Sequence, residues 1–208
     1  MLKKISFLLL IFLIISCSNV FEKYQFDADI YRLKHLKYYG ELIFEYKDRT
    51  GHFPFEGVSD KPTYVFVATK EQYENTRGNP HPFNEVPFSE FIKELEKKLG
   101  RTINEYYDPQ REGTYTPNFY IYMINKKTFF FAVHLYQQFP FSINISKNYN
   151  KLEISNNPTE HNRAANFVEI LNNKVFLDEI NKIPSRTGWF KKLEEKNLHH
   201  SKGKISNL

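Results

Sequence analysis

The chain has 208 residues, with 29 Lys and Arg against 24 Asp and Glu, and a formal net charge of +5. This is enough chain to bury one hydrophobic core, and the charges are interspersed, so no basic stripe of the kind that binds nucleic acid is present. The single cysteine, Cys17, excludes an intramolecular disulfide and a site built from several thiolates.

The first sixteen residues have the composition of an export signal. Lys3 and Lys4 make a positive start, and residues 5–15 follow as an apolar run interrupted by one Ser. That run is shorter than the roughly 20 residues that cross a bilayer as a permanent helix. A positive start, a short apolar centre and a small residue before the cleavage point are typical of a secretory signal peptide, which we predict over residues 1–16.

Residues 14–17, Ile-Ile-Ser-Cys, resemble the lipobox of bacterial lipoproteins. The resemblance implies that the signal is cut before Cys17 and that this cysteine carries a diacylglyceryl group and a further acyl chain such as palmitate. Ser18 in place of Asp implies the outer membrane, with the domain facing the periplasm. Several acyl chains make attachment durable, since one chain anchors only marginally. The alternative is an ordinary cleaved signal with a cysteine nearby by chance.

After a tether over residues 17–27, a long helix is predicted over residues 28–47. Its charged residues recur at three- and four-residue steps, which places them on one narrow face, and most of the remaining circumference is apolar. Gly51 and Pro54 are expected to end the helix. The charged face consists of Lys34, Lys37, Glu41, Glu45 and Asp48.

Residues 26–54, which contain this helix, are similar to two families. One is an uncharacterised group of proteobacterial lipoproteins that open with such a helix and leave it through a Gly-x-Phe/Tyr-Pro sequence. The other is the type II secretion pseudopilins, which have a helix followed by GxYP, but the continuous apolar helix and processing site of that family are missing here. Neither resemblance implies a catalytic residue.

Further along the chain, a strand is predicted at residues 63–69 and a helix capped by Ser89 continues to Leu99. Long loops are predicted at residues 70–87 and 101–117, and loops of that length are often functional or disordered. From residue 118 the hydrophobic period changes to two. Four strands are predicted there, at residues 119–125, 128–136, 141–146 and 151–155.

Helices are predicted after these strands, at residues 163–172 and 175–182. Because the strands are joined by short connections, neighbours are expected to be antiparallel. The predicted fold class is therefore α+β, with the long N-terminal helix and the C-terminal helices packed on a mainly antiparallel sheet of about five strands. One domain is predicted over residues 28–190, followed by a polar tail over residues 191–208.

The sequence contains no serine-hydrolase, zinc-protease, nucleotide-binding or calcium-binding signature. We interpret His35 as a hydrogen-bonded core residue and Glu41 and Glu45 as part of a solvated helix face. His52, His81 and His134 show no metal-ligand spacing, so no metal, cofactor or catalytic residue is predicted.

One aromatic group is a candidate partner surface. If helices cover only one side of the sheet, its other face would form an exposed patch of the kind that marks a partner site. The alternative is a helix layer on each side, and the rarity of such patches on monomers favours this burial. The candidate residues are Tyr120, Tyr122, Phe130, His134 and Tyr136.

These observations favour a membrane-anchored, non-enzymatic interaction or binding module with a protein partner. One form would be an immunity lipoprotein that neutralises a toxin entering the periplasm, and another an assembly factor for an envelope complex. The alternative is a periplasmic hydrolase that acts on cell-wall or lipid substrate through dispersed His and carboxylate groups. A cluster of His52, His81 or His134 with an acid in a cleft would favour the enzyme, and an aromatic patch with scattered histidines would favour the binder.

Overall fold

The computed structural model describes residues 27–76, 83–109, 118–147, 149–157 and 164–182. The predicted signal peptide, Cys17, His81 and the predicted tail lie outside these ranges. Among the helices in these ranges, none combines the length and the apolar character needed to cross a membrane.

The first helix, α1, covers residues 27–50. Its predicted charged face is turned outward, and Lys37 and Glu41 form the i,i+4 ion pair that their spacing favours. Gly51 ends the helix as expected: it has a φ of 82° and donates its N–H to the Lys47 carbonyl at 2.8 Å.

The α+β class is confirmed, and over the described residues the sheet is mixed and has seven strands rather than about five. Their order is β2-β1-β3-β4-β6-β5, and β7 pairs with β6. The β1–β2 and β6–β7 pairs are parallel and the remaining pairs are antiparallel. The strands are β1 (Thr63–Val67), β2 (Asn84–Glu85), β3 (Tyr120–Asn125), β4 (Thr128–Leu135), β5 (Ile143–Ser146), β6 (Tyr149–Ser155) and β7 (Ala165–Asn166).

The remaining helices correct three details of the prediction. The predicted loop at residues 70–87 contains α2 and the short strand β2. Pro87, not Ser89, occupies the N-cap of α3, and no side chain caps that helix. The helix predicted from residue 163 begins later, because residues 165–166 pair with β6 and Asn166 then accepts the Val168 N–H as the cap. The helices are α2 (Lys70–Thr76), α3 (Phe88–Leu99), α4 (Phe167–Asn172) and α5 (Lys174–Ile180).

The turn between β3 and β4 decides which side chains share a face. Asn125 pairs with Thr128, so Lys126 and Lys127 form a two-residue turn and Tyr122 lies opposite Phe131. We call the side that carries Tyr122 and Phe131 the first face. The second face carries the residues that alternate with these along the strands, among them Tyr64, Phe66, Met123, Phe130, Ala132, His134, Lys151 and Glu153.

Ring contacts place three helices against the first face. Tyr39 of α1 stacks on Phe131 with ring centroids 5.3 Å apart. Phe91 of α3 contacts Tyr122 at 5.0 Å. Phe167 of α4 stacks on the α1 side chain Phe44 at 4.9 Å, so α4 lies on the same side of the sheet as α1.

The contact between α1 and α4 requires a glycine. A β-carbon at Gly40 would overlap the ring of Phe167 and come within 2.9 Å of Ile154 Cδ1. The helix therefore approaches the sheet closely at this point, and α4 seats its ring in the space. Among the described helices, α1 and α4 thus lie on the same side of the sheet and not on opposite sides, whereas Tyr73 of α2 contacts Phe66 of the second face at 6.0 Å.

Candidate functional site

The five residues predicted to form one partner surface are divided between several places. Tyr120 and Tyr122 are fully buried on the first face, beneath the helices. Phe130 and His134 lie on the second face, and both are buried. Tyr136 follows the end of β4, where its N–H is bonded to a carboxylate of α1.

The prediction that these residues share a face is wrong because it did not take account of the register between β3 and β4, which places Tyr122 opposite Phe131 and not opposite Phe130. The two-residue turn fixes this register, and a register one residue different would move every side chain of a strand to the opposite face. His134 and Phe130 remain together, and the two tyrosines of β3 separate from them.

The second face carries a row of aromatic rings that crosses the sheet. Successive ring centroids are separated by 4.7, 6.5, 5.5, 5.4 and 5.5 Å. Every ring except that of His134 keeps part of its surface exposed. At these separations each ring packs against the next, and five of the six rings contribute exposed surface. In order, this aromatic row consists of Phe83, Tyr64, Phe66, Phe119, His134 and Tyr149.

An ion pair lies beside the aromatic row. Lys151 and Glu153 of β6 are paired at 2.8 Å, and their side chains are 25% and 5% exposed. The register places Lys151 next to His134 and Glu153 next to Ala132. Burial raises the pKa of Tyr64, and the negative charge of Glu153 raises it further. The second face therefore combines aromatic surface with a partly desolvated charge pair.

His134 is neutral at physiological pH. Burial is the largest cause that lowers its pKa, to about 4, and the positive charges of Arg32 and Lys151 also lower it. The hydrogen bond to the Phe119 carbonyl raises the pKa but does not offset burial. A neutral ring donates its Nδ1–H to that carbonyl, 3.2 Å away. A base with this pKa takes up protons poorly near pH 7, so the ring is suited to packing rather than to proton transfer.

A second cluster of ionisable groups is buried in the first described turns of α1. The side chains of Arg32, Asp29 and Asp108 are all 0% exposed. Arg32 donates Nε and Nη2 to the two oxygens of Asp108, at 2.7 and 3.0 Å, and Nη1 to Asp29 at 2.8 Å. The two-bond contact with Asp108 is the strong, directional form of an Arg–carboxylate pair.

This Arg32 cluster extends into the backbone. The Asp29 carboxylate accepts the N–H groups of Tyr136 and Gln137, at 3.0 and 2.8 Å. Gln72 of α2 donates to the Asp108 carbonyl at 3.0 Å. The network thus connects α1, α2, the end of β4 and the segment 101–109. Because its charged groups are enclosed by protein partners, we interpret it as a structural junction rather than as a substrate site.

Burial has opposite consequences for the two kinds of charge in the cluster. Burial raises the pKa of Asp29, although Arg32 and the two backbone donors lower it. Burial alone would lower the pKa of a guanidinium, but Asp108 and then Asp29 raise the pKa of Arg32 above its usual value. Arg32 is therefore charged at every pH at which the protein is folded.

The described histidines lie in three separate environments. His35 is 5% exposed, contacts the Tyr120 hydroxyl at 2.8 Å through Nδ1 and stacks on Tyr106 at 4.9 Å, which confirms its interpretation as a core residue. His52 is exposed beyond the end of α1, and His134 lies on the second face. Over the described ranges, these side chains do not converge with an acid in one cleft.

In the part of the chain that the structure describes, no group of three or more His, Cys, Asp or Glu residues could hold a metal ion. A comparison of the chain with protein-family models, with curated proteins and with solved structures finds no match.

Replacing Arg32 tests whether the cluster controls folding. Arg32→Met leaves two buried carboxylates without their cation, so we expect the free energy of unfolding to fall by about 3–5 kcal/mol. The matched control is Lys174→Met, which removes an ion pair to Asp178 from a lysine side chain that is 86% exposed, and should cost less than about 1 kcal/mol. Urea unfolding followed by circular dichroism measures both. Equal losses in the two variants would contradict the junction role.

Acid should destabilise the protein through His134. The unfolded chain binds a proton at this ring near pH 6.5 and the folded chain only near pH 4. Protons taken up between these values favour the unfolded state, so stability should decrease by about 3 kcal/mol as the pH falls from 6.5 to 4. In His134→Gln that part of the pH dependence should vanish from urea unfolding curves. The control, His52→Gln, removes an exposed ring and should keep the full pH dependence of the free energy of unfolding. If His134→Gln also keeps the full pH dependence, His134 is not its source.

Proposed function

We propose that this chain is a lipid-anchored cell-envelope protein that acts by binding a protein partner rather than by catalysis. In this proposal the anchor is an acylated Cys17 in the outer membrane, and the domain faces the periplasm. The observation that carries the binding role is the aromatic row, which remains partly exposed along the second face.

The chemistry of the aromatic row supports a protein as the ligand. Rigid aromatic side chains provide large contact areas at a low entropy cost, and Tyr and Phe are enriched in the centres of protein interfaces. The hydroxyl of Tyr149 adds hydrogen-bonding capacity, and Lys151, which is paired with Glu153, offers a partly exposed charge. A partner that presents apolar side chains together with hydrogen-bonding groups fits this surface.

The arrangement of ionisable groups favours binding over hydrolysis. A hydrolase with a dispersed site needs a histidine and an acid held together in an accessible cleft. The pKa of about 4 makes His134 a weak base, and the carboxylates of the Arg32 cluster are enclosed by Arg32 and backbone donors. An immunity protein that neutralises a toxin in the periplasm is one specific form of the proposed binder.

The anchor is tested by removing its thiol. Cys17→Ala should abolish incorporation of labelled fatty acid and move the protein from the membrane fraction to the soluble fraction, because the acylated side chain is lost. Ser18→Ala keeps the cysteine and serves as the control. A Cys17→Ala protein that still takes up label and stays with the membrane would refute the anchor.

The binding role is tested by truncating the row. The lipidated protein is purified from gently solubilised envelopes, the companion protein is identified by mass spectrometry, and its affinity is measured with purified components. Tyr149→Ala should weaken binding about tenfold, the usual effect of losing an aromatic contact at an interface. Val168→Ala, at a position 56% exposed on α4, should leave affinity unchanged.

Two results would refute this role. Equal affinity in the parent and in Tyr149→Ala, with unchanged thermal unfolding, would place the partner elsewhere on the protein. A preparation that holds no companion but turns over cell-wall fragments or lipid would replace the binder by the hydrolase.

A further inference from the structure

Two exposed hydrophobic side chains lie within five residues of each other at one edge of the sheet. Phe141, in the turn before β5, and Ile145, on β5, are both 44% exposed. β5 is the outer strand beside β6, and its four residues are partly or largely exposed. Large apolar side chains exposed at the same edge indicate a contact surface more often than isolated ones do.

The turn holds Phe141 in an unusual backbone conformation. Its φ is 68°, a value that bulky residues rarely adopt because it strains the backbone. The flanking contacts keep it there: the Ser142 N–H donates to the Phe139 carbonyl at 3.0 Å, and the Ser142 hydroxyl bonds both the N–H and the carbonyl of Phe139, at 2.8 and 2.7 Å. The fold thus maintains a strained residue with an exposed ring.

An exposed lysine accompanies the two apolar side chains. Lys147 directly follows β5 and is exposed. Lys151, on the neighbouring strand, is paired with Glu153, so Lys147 is the cation that this edge offers to solvent. A lysine beside exposed apolar side chains attracts anionic lipid headgroups.

The chain places this edge near the proposed anchor. The Asp29 carboxylate accepts the N–H groups of Tyr136 and Gln137, so the first described turn of α1 lies beside the end of β4, from which the chain continues to Phe141. About ten residues separate Cys17 from Asp27, and ten residues span at most about 35 Å. An acylated Cys17 would therefore keep this edge close to the bilayer.

We propose that the edge formed by Phe141, Ile145 and Lys147 contacts the bilayer surface. The two apolar side chains enter the headgroup region, and Lys147 pairs with lipid phosphates. The ligand is thus an anionic lipid surface, and the contact gives the domain a fixed orientation that the acyl chains alone do not provide. This inference rests on the anchored state proposed above.

The test uses the full-length, acylated protein in vesicles of equal parts phosphatidylethanolamine and phosphatidylglycerol, with a nitroxide-bearing lipid as quencher. Ile145→Cys carries an environment-sensitive fluorophore, since an acylated Cys17 cannot react with the label. The matched control is Val58→Cys, at a position 63% exposed beyond the opposite end of α1. We expect about twofold quenching at position 145, because its side chain enters the headgroup region, and almost none at position 58.

A second substitution separates the ring from the fold. Phe141→Asn suits the left-handed backbone and removes the ring, so it should preserve thermal unfolding and reduce quenching of the label at position 145. Equal quenching at positions 145 and 58, or none at either while the acylated protein stays on the vesicles, would overturn the membrane contact and leave the anchor intact. Protein that lacks the acyl group and remains in solution would overturn the anchor and this inference with it.

Discussion

The guanidinium of Arg32 is the group on which the arrangement of the whole domain depends. It lies 0% exposed between Asp29 and Asp108, a residue 76 positions away in the chain. A buried charge is tolerated only when its partners are all in place, and a misplaced partner leaves a desolvated ion. The cluster therefore discriminates strongly against other ways of docking α1 on the sheet, even though its net contribution to stability is modest. Asp29 completes the constraint by holding the backbone at the end of β4.

The position of α1 divides the sheet into two unlike faces. Once α1 lies on the first face, the Gly40 contact brings α4 to the same side, and the tyrosines of β3 are enclosed beneath the helices. The second face is built differently, from an aromatic row and a Lys151–Glu153 pair. The two proposed contacts, a partner on the second face and a membrane at the β5 edge, adjoin, because Tyr149 at the end of the aromatic row pairs with Ser146 of β5.

Local patterns predicted the helices and strands well where hydrophobic residues recur at a regular spacing or where a residue such as Gly51 ends a helix. The charged face of α1, its end at Gly51 and the alternation in β4 and β6 all follow from spacing within a few residues. The sequence analysis did not predict the Arg32 cluster. Asp29 and Arg32 lie on the mostly apolar side of α1 and not on its charged face, and charged residues in such a position indicate buried charges. The position does not identify Asp108 as the partner, because Arg32 and Asp108 are 76 residues apart. The strands β2 and β7 were not predicted for a similar reason. Each has only two residues, too few to show alternating side chains, and each is a strand only because it pairs with β1 or β6.

The amino-acid sequence by itself determined the α+β class, most of the helices and strands and the alternation of side chains within each strand, because these depend on contacts between near neighbours. Only the tertiary structure decided which of the two sets of alternating side chains is covered. That outcome depends on the two-residue turn at Lys126 and Lys127, which sets the register, and on Arg32 and Gly40, which set the place of the helices. A difference of one residue in the turn moves Tyr120 and Tyr122 from one face to the other. No local period distinguishes the two arrangements, since both give the same alternation.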